Sequence, residues 1–307
     1  MSAAAFAIAP PDPGAIQRIC VLGAGTMGSG IAAHFANLGF DVVLLDVSRA
    51  AADEAFAKAR MSKPPHFMAD WTANSVRLGG VEADSHLIAE ADWVIEAVSE
   101  RPEVKANLYA IAEPLLGGQT LLSTNTSGIE IARLAATLGG GIAPKFVGTH
   151  FFNPPRYLKL VELIPHAGSD PAYVELYRRL LEERGGRRVV LAKDTPGFIA
   201  NRFGMWALYH AIHTAERLGL PPELVDALTG PFLNRPRSGT FRLADVIGID
   251  VMNDVATNLL VRCASDPQIA CLQPPRTLAH LLEKGWIGEK SGHGYTRRET
   301  KELLVLD

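Results

Sequence analysis

The stretch that most constrains this chain runs from Arg18 to Asp46, RICVLGAGTMGSGIAAHFANLGFDVVLLD. An apolar run, Ile19 to Leu22, leads into Gly23-Ala24-Gly25-Thr26-Met27-Gly28. Met27, Ile31, Phe35 and Leu38 then recur at helical spacing up to Gly39, and a second apolar run, Val42 to Leu45, closes on Asp46. The pattern is strand, tight turn, helix, strand. Gly23 permits the sharp turn, Gly25 removes a side chain that would hold the backbone away from a pyrophosphate, and Gly28 lets the helix pack close to the sheet. The helix start, at Thr26 and Met27, offers N–H groups and a partial positive charge to phosphate. Asp46 stands where a carboxylate accepts both ribose hydroxyls and repels a 2′-phosphate. The expected cofactor is therefore NAD rather than NADP, although Arg49 nearby pulls the other way.

With 307 residues, 48% hydrophobic and 21% charged, the chain has material for one large or two ordinary domains. A net charge of -3 argues against a nucleic-acid partner. Cys20, Cys263 and Cys271 form neither a C-x-x-C nor a disulfide framework, which points to a reducing cytoplasm. Residues 1–17 have no basic start and are cut by prolines, so a flexible leader is expected there rather than a signal peptide. No apolar run reaches the length of a membrane span. His210 and His213 stand at i, i+3 without a third ligand, and no metal is expected.

After Asp46, strands expected at 91–98, 120–123, 145–149, 158–164 and 187–192 alternate with helices, and 61–80 reads as an irregular surface excursion. Such alternation gives a Rossmann-type, doubly wound, mostly parallel sheet over 18–195. Ligands of such sheets lie beyond the carboxyl ends of the strands. Asp46, Glu100, Asn125 and His150 all fall at or just past such ends. From 196 to 307 the pattern is all-α, with helices expected at 198–218, 222–228, 241–263 and 277–284. The broad apolar surface of 198–218 is read either as a dimer face or as interdomain core.

His150-Phe151-Phe152-Asn153-Pro154-Pro155-Arg156-Tyr157 precedes the strand that carries Glu162. If the chain reverses with its tip near Arg156, residues equidistant from that tip face each other, and His150 faces Glu162. A carboxylate against one ring nitrogen fixes the tautomer and makes the other nitrogen a better base. The residues alone leave a second reading open, in which His150 is a satisfied core histidine and Glu162 an edge-strand charge.

With these segments in view, the chain resembles the 3-hydroxyacyl-CoA dehydrogenase family almost end to end, from Arg18 to Tyr295. The most specific blocks are Ser123-Thr124-Asn125-Thr126-Ser127, His150-Phe151-Phe152-Asn153-Pro154, Lys159-Leu160-Val161-Glu162 and Lys193-Asp194-Thr195-Pro196-Gly197-Phe198-Ile199-Ala200-Asn201-Arg202. The resemblance implies that His150 is the catalytic base and Glu162 its partner. It implies that Ser127 and Asn201 hold the reacting oxygens, that Asn153 supports the histidine loop, and that Glu100, Lys105 and Asn125 line the NAD site. The activity it implies is oxidation of L-3-hydroxyacyl-CoA to 3-ketoacyl-CoA in fatty-acid β-oxidation, by a homodimer joined through the helical domain. There are departures. Gly128 follows Ser127 where the family often has a second serine, and 61–80 looks shorter and more proline-rich than the family's CoA-contacting insertion. Lys58, Arg60 and Lys63 are candidates for the CoA adenosine phosphate. Segments 151–159 and 235–241 look most like the dehydrogenase portion of longer fused chains that also carry an enoyl-CoA hydratase, so the chain is read either as such a portion, with a hydratase module as partner, or as a free-standing relative. Two other readings stay open: a relative acting on a small 3-hydroxy acid or L-gulonate-type sugar acid, and a non-catalytic NAD-binding structural protein, whose sign would be loss of the base or its partner.

Overall fold

The structure is a computed structural model that describes residues 10–299 and 302–305. The chain divides into two compact units, Met1–Phe198 and Ile199–Asp307. In the first, the order is β1 (Arg18–Leu22), α1 (Thr26–Asn37), β2 (Asp41–Asp46), α2 (Arg49–Arg60), α3 (Asp70–Asn74), β3 (Arg77–Gly80), α4 (His86–Ala89), β4 (Trp93–Glu96), α5 (Pro102–Ala112), β5 (Leu121–Thr124), α6 (Ile131–Ala135), β6 (Val147–Phe151), β7 (Leu160–Ile164), α7 (Pro171–Arg179) and β8 (Arg188–Leu191). One sheet holds all eight strands in the order β3-β2-β1-β4-β5-β6-β7-β8. Every neighbouring pair is parallel except β6 and β7. Strand order reverses between β1 and β4, which opens a crevice at their carboxyl ends.

The period of two along a strand explains why the sheet is covered on both faces. In β1, Ile19 and Val21 join one core with Phe35 and Trp93, while Cys20 and Leu22 join another with Val94 and Tyr109. The excursion at 61–80 is more ordered than expected. It carries α3, and Arg77–Gly80 pairs along β2, Asp46 lying opposite Gly80. The space there is tight: a Cβ on Gly79 would come within 2.8 Å of the Leu45 side chain, and one on Gly80 within 3.0 Å of the Arg49 backbone nitrogen.

The leader expected at 1–17 also changes. Residues 1–9 lie outside the described residues, but 10–17 pack onto the first unit. Asp12 accepts the Gly14 N–H at 2.8 Å, Ile16 is buried in the core, and Arg184 donates to the carbonyl oxygens of Pro13 and Ile16.

The second unit contains α8 (Ala200–Leu218), α9 (Pro222–Thr229), α10 (Phe241–Ile247), α11 (Ile249–Arg262) and α12 (Arg276–Glu283) around a core of Tyr209, Ile212, Met252 and Leu278. The helix expected at 241–263 is two, broken at Gly248, whose φ of 99° belongs to glycine. The unit closes with an antiparallel pair, β9 (Thr296–Glu299) and β10 (Glu302–Val305), an addition to the helices expected there. Among the described residues no helix is long and apolar enough to cross a membrane.

One buried group ties stability to pH. His34, on α1, has Nε2 2.8 Å from the Gly185 carbonyl, and the Arg187 guanidinium lies 3.1 Å from Nδ1. A carbonyl only accepts and a guanidinium only donates, so the ring is the neutral Nε2–H tautomer. Burial, reinforced by the Arg187 charge, pushes its pKa down from 6.5 to about 4. The unfolded chain takes up this proton first, so stability is fully present above the unfolded value and falls as pH drops from 6.5 toward 4. The expected loss is on the order of 3 kcal/mol. Denaturation midpoints for wild type and His34→Gln across this range check it; equal pH slopes would exclude His34 as the source.

Candidate active site

The carboxyl ends of the parallel strands β1, β4 and β5 lie on the same edge of the sheet as the start of the β6–β7 hairpin. At the first, Gly23 has a φ of 101° and a Cβ on it would lie 2.8 Å from the Ala97 carbonyl oxygen. A Cβ on Gly28 would overlap the Gly23 carbonyl oxygen at 1.7 Å. Neither position tolerates a side chain. Gly25 differs, since its Cβ would meet nothing within 4 Å; glycine there keeps the outer face of the loop open. Gly25 caps α1 without a side chain and the first turn of α1 carries no acid. The N–H groups of Thr26, Met27 and Gly28 have no acceptor within the helix and are available to phosphate oxygens. Asp46 accepts the Ala24 N–H at 2.6 Å and the Val47 N–H at 2.7 Å, one on each oxygen. Each oxygen keeps a lone pair for a ribose hydroxyl. These residues fit a dinucleotide.

The second loop is built on a carboxylate buried in a strand. Glu96 ends β4 fully buried and accepts from Lys105 Nζ at 2.6 Å, Tyr109 Oη at 2.8 Å, Thr124 Oγ1 at 2.7 Å and the Val98 N–H at 2.8 Å. Four residues on, Glu100 accepts from Thr126 Oγ1 at 2.5 Å and from the N–H groups of Ser127 and Gly128, both at 2.8 Å. Lys105 Nζ lies 3.5 Å from its other oxygen. Partial burial works to raise the Glu100 pKa, but the Lys105 charge and these donors outweigh it and hold the group below the ordinary carboxylate range.

Lys105 is thus placed differently from the sequence expectation. Its side chain is 1% exposed and is paired with Glu96 and Glu100 rather than lying on an open surface. Glu96, Tyr109 and Thr124 were not among the expected site residues. The available signal was a glutamate closing an otherwise apolar strand.

Asn125, past β5, accepts the Phe151 N–H at 2.9 Å and so joins the ends of β5 and β6. The β6–β7 register pairs His150 with Glu162, the equidistant pairing expected about Arg156. Glu162 Oε2 lies 2.7 Å from His150 Nδ1, and both side chains are buried. A carboxylate can only accept, so Nδ1 carries a proton, and in the neutral ring it is Nε2 that presents the lone pair. Phe152 and Phe198 flank the imidazole, with centroids 4.6 and 5.8 Å away. Phe198 holds a φ of 46°, uncommon for a bulky residue.

Ser127 stands in the loop fixed by Glu100. Asn153 is exposed just beyond β6, in the loop that follows His150. Asn201 lies in the first turn of α8, in the second unit. No cluster of three or more His, Cys, Asp or Glu able to hold a metal occurs among the described residues.

Comparison with known proteins identifies the family. The family model for the 3-hydroxyacyl-CoA dehydrogenase NAD binding domain matches residues 18–195, and that for the C-terminal domain matches 197–298. A probable 3-hydroxyacyl-CoA dehydrogenase of Bacillus subtilis is 37% identical over 313 residues, covering 95% of this chain but 40% of that protein. One from Deinococcus radiodurans is 35% identical over 294 residues, covering 94% of this chain and 84% of that protein. The crystal structure of (S)-3-hydroxybutyryl-CoA dehydrogenase from Ralstonia eutropha matches with a TM-score of 0.80 at 29% identity, covering 93% of this chain and 100% of that one. The chain therefore belongs to the 3-hydroxyacyl-CoA dehydrogenase family of oxidoreductases, and the cofactor its glycine loop is built for is NAD.

Proposed function

We propose that the chain oxidises L-3-hydroxyacyl-CoA to 3-ketoacyl-CoA, with His150 as general base and Glu162 as the group that orients it. The observation that carries this reading is the buried 2.7 Å bond between Glu162 and His150 Nδ1, at the carboxyl end of a strand in the family's NAD-binding domain. The chemistry supplied by bound NAD is acceptance of a hydride from C3. The 3-hydroxyl must lose its proton as that hydride leaves, or a costly protonated carbonyl forms. The Nε2 lone pair of His150 takes the proton, and Glu162 offsets the charge that appears on the ring. Ser127 and Asn201 would hold the reacting hydroxyl and carbonyl oxygens, and Asn153 would support the histidine loop.

The surrounding roles follow the same reading. Residues 18–195 serve NAD, and 196–307 serve substrate and dimerisation. Phe203 and Leu218, each 60% exposed on α8, favour a homodimer through this unit; a monomer mass by light scattering would overturn that. Three free cysteines suit a reducing cytoplasm. The Bacillus relative is more than twice as long as this chain and the Deinococcus one is close to it in length, so the chain is either part of a longer fused protein, with a hydratase module as partner and β-oxidation as the setting, or free-standing.

A second reading, a small 3-hydroxy acid or sugar acid without CoA, has its own support. Lys58 is paired with Glu54 at 2.7 Å, and Arg60 with Asn74 at 3.1 Å, so two candidates for the CoA phosphate are engaged locally. Initial rates of NADH formation decide. A panel of 3-hydroxyacyl-CoAs should be turned over and the matching free acids should not; turnover of the free acids alone would establish the second reading.

Asp46 gives a separate test of cofactor choice. Asp46→Ala removes a charged acceptor and is expected to weaken NAD binding roughly 10–100-fold. NADP should suffer less, since the repulsion of its 2′-phosphate goes too. Equal NAD and NADP affinity in the wild type would show that Asp46 does not discriminate.

A further inference from the structure

The hairpin that sets His150 against Glu162 is held from beneath by a buried arginine. Arg187, 8% exposed, lies one residue before β8. Its Nη1 donates to the carbonyl oxygens of Pro155 at 2.6 Å and Leu158 at 2.9 Å, both in the β6–β7 loop. Its Nε donates to Gly185 at 3.0 Å, and its Nη2 to His34 Nδ1 at 3.1 Å. Among the described residues no carboxylate pairs with it. A buried cation without a counter-charge is costly, and here only three carbonyls and a neutral imidazole compensate. Desolvation accordingly lowers its pKa from the ordinary arginine value.

The four acceptors lie on three segments of the chain, Gly185 being close in sequence to Arg187 itself. Two belong to the loop between His150 and Glu162. One is on α1, whose opposite end carries the phosphate-facing N–H groups. The loop is also seated on α1 directly: a Cβ on Gly30 would come within 2.8 Å of Pro155. A planar fork with donors on several edges can bridge such a set, whereas an ammonium on one stem cannot reach both sides.

We propose that Arg187 is a positioning residue, which fixes the β6–β7 loop against α1 and so sets the His150–Glu162 pair relative to the dinucleotide site. This rests on the reading of His150 and Glu162 as base and partner.

The test uses Arg187→Met, which keeps the aliphatic stem and removes every hydrogen bond, and Arg187→Lys, which keeps the charge but not the fork. Activity is measured well below each variant's unfolding midpoint, with circular dichroism confirming the fold. Arg187→Met should lower kcat roughly 10–100-fold, as sub-ångström to ångström misplacement of a catalytic group does, with the NAD Kd changed by less than about threefold. Arg187→Lys should fall between Met and wild type. A second readout is independent of turnover: the downfield proton resonance of His150 Nδ1–H, identified by its loss in His150→Gln, should shift or broaden in Arg187→Met. An unchanged kcat and resonance in folded Arg187→Met would overturn the proposal. So would a loss that follows the folded fraction, with Lys no better than Met. If His150→Gln itself leaves kcat intact, the reading of the base has failed instead, whatever Arg187 does.

Discussion

His150→Gln is expected to lower kcat by roughly 10²–10⁴-fold, the usual contribution of a positioned acid–base group. NAD affinity should barely change, because the glycine loop, the N-terminus of α1 and Asp46 form the dinucleotide site without using the histidine. Glutamine fills much of the same space and still offers a donor toward Glu162, so a folding defect is not the expected cause of the loss. What it lacks is a lone pair that becomes a stable cation on protonation. Glu162→Gln tests the other half of the pair. The shape is kept, but the acceptor charge facing Nδ1 is gone, and both the fixed tautomer and the compensation of the new imidazolium go with it. It should lower kcat too, by less than His150→Gln. Steady-state kinetics with NAD titrations separate these effects. A Glu162→Gln enzyme with wild-type kcat would show that the buried pair holds the hairpin together and takes no part in proton transfer.

How far this site could be read from sequence depended on whether a local rule fixed the geometry. The glycine loop was legible because close backbone approach leaves glycine as the only choice at Gly23 and Gly28. The His150–Glu162 register was legible because an antiparallel hairpin with a known tip has one pairing scheme, and the structure follows it from Gly148 to Phe151. Strand β3 was not, because Arg77-Leu78-Gly79-Gly80 has no alternation of its own and is defined by the edge of β2. The break at Gly248 was missed for a related reason: one glycine inside a helical pattern is tolerated as often as it interrupts. The roles of Arg187 and Lys105 were the least visible. Each depends on partners far along the chain, Arg187 on His34 and Pro155 and Lys105 on a strand glutamate, and nothing in local spacing announces such a meeting.

Lys105→Met is expected to destabilise the first unit by about 3–5 kcal/mol, the usual cost of removing one partner from a buried ion pair. Lys105 and Glu96 are 1% and 0% exposed, 2.6 Å apart, so neither charge can turn to water when the other is lost. An exposed pair of the same length would contribute about 1 kcal/mol or less. The remaining donors to Glu96, from Tyr109, Thr124 and Val98, soften the effect but carry no formal charge. Methionine matches the stem, so cavity formation adds little. The double variant Glu96→Gln/Lys105→Met should recover part of the loss, because a neutral amide still serves the two hydroxyls without leaving a buried charge. Denaturant unfolding of the two single variants and the double one closes the cycle. Function should feel the same change through Glu100, whose carboxylate loses its nearest cation while still holding the N–H groups of Ser127 and Gly128. Looser control of that loop should raise KM for the hydroxyacyl substrate more than it lowers kcat. If Lys105→Met is as stable as wild type, the network joining β4, α5 and β5 is held by ordinary hydrogen bonds rather than by a charge pair.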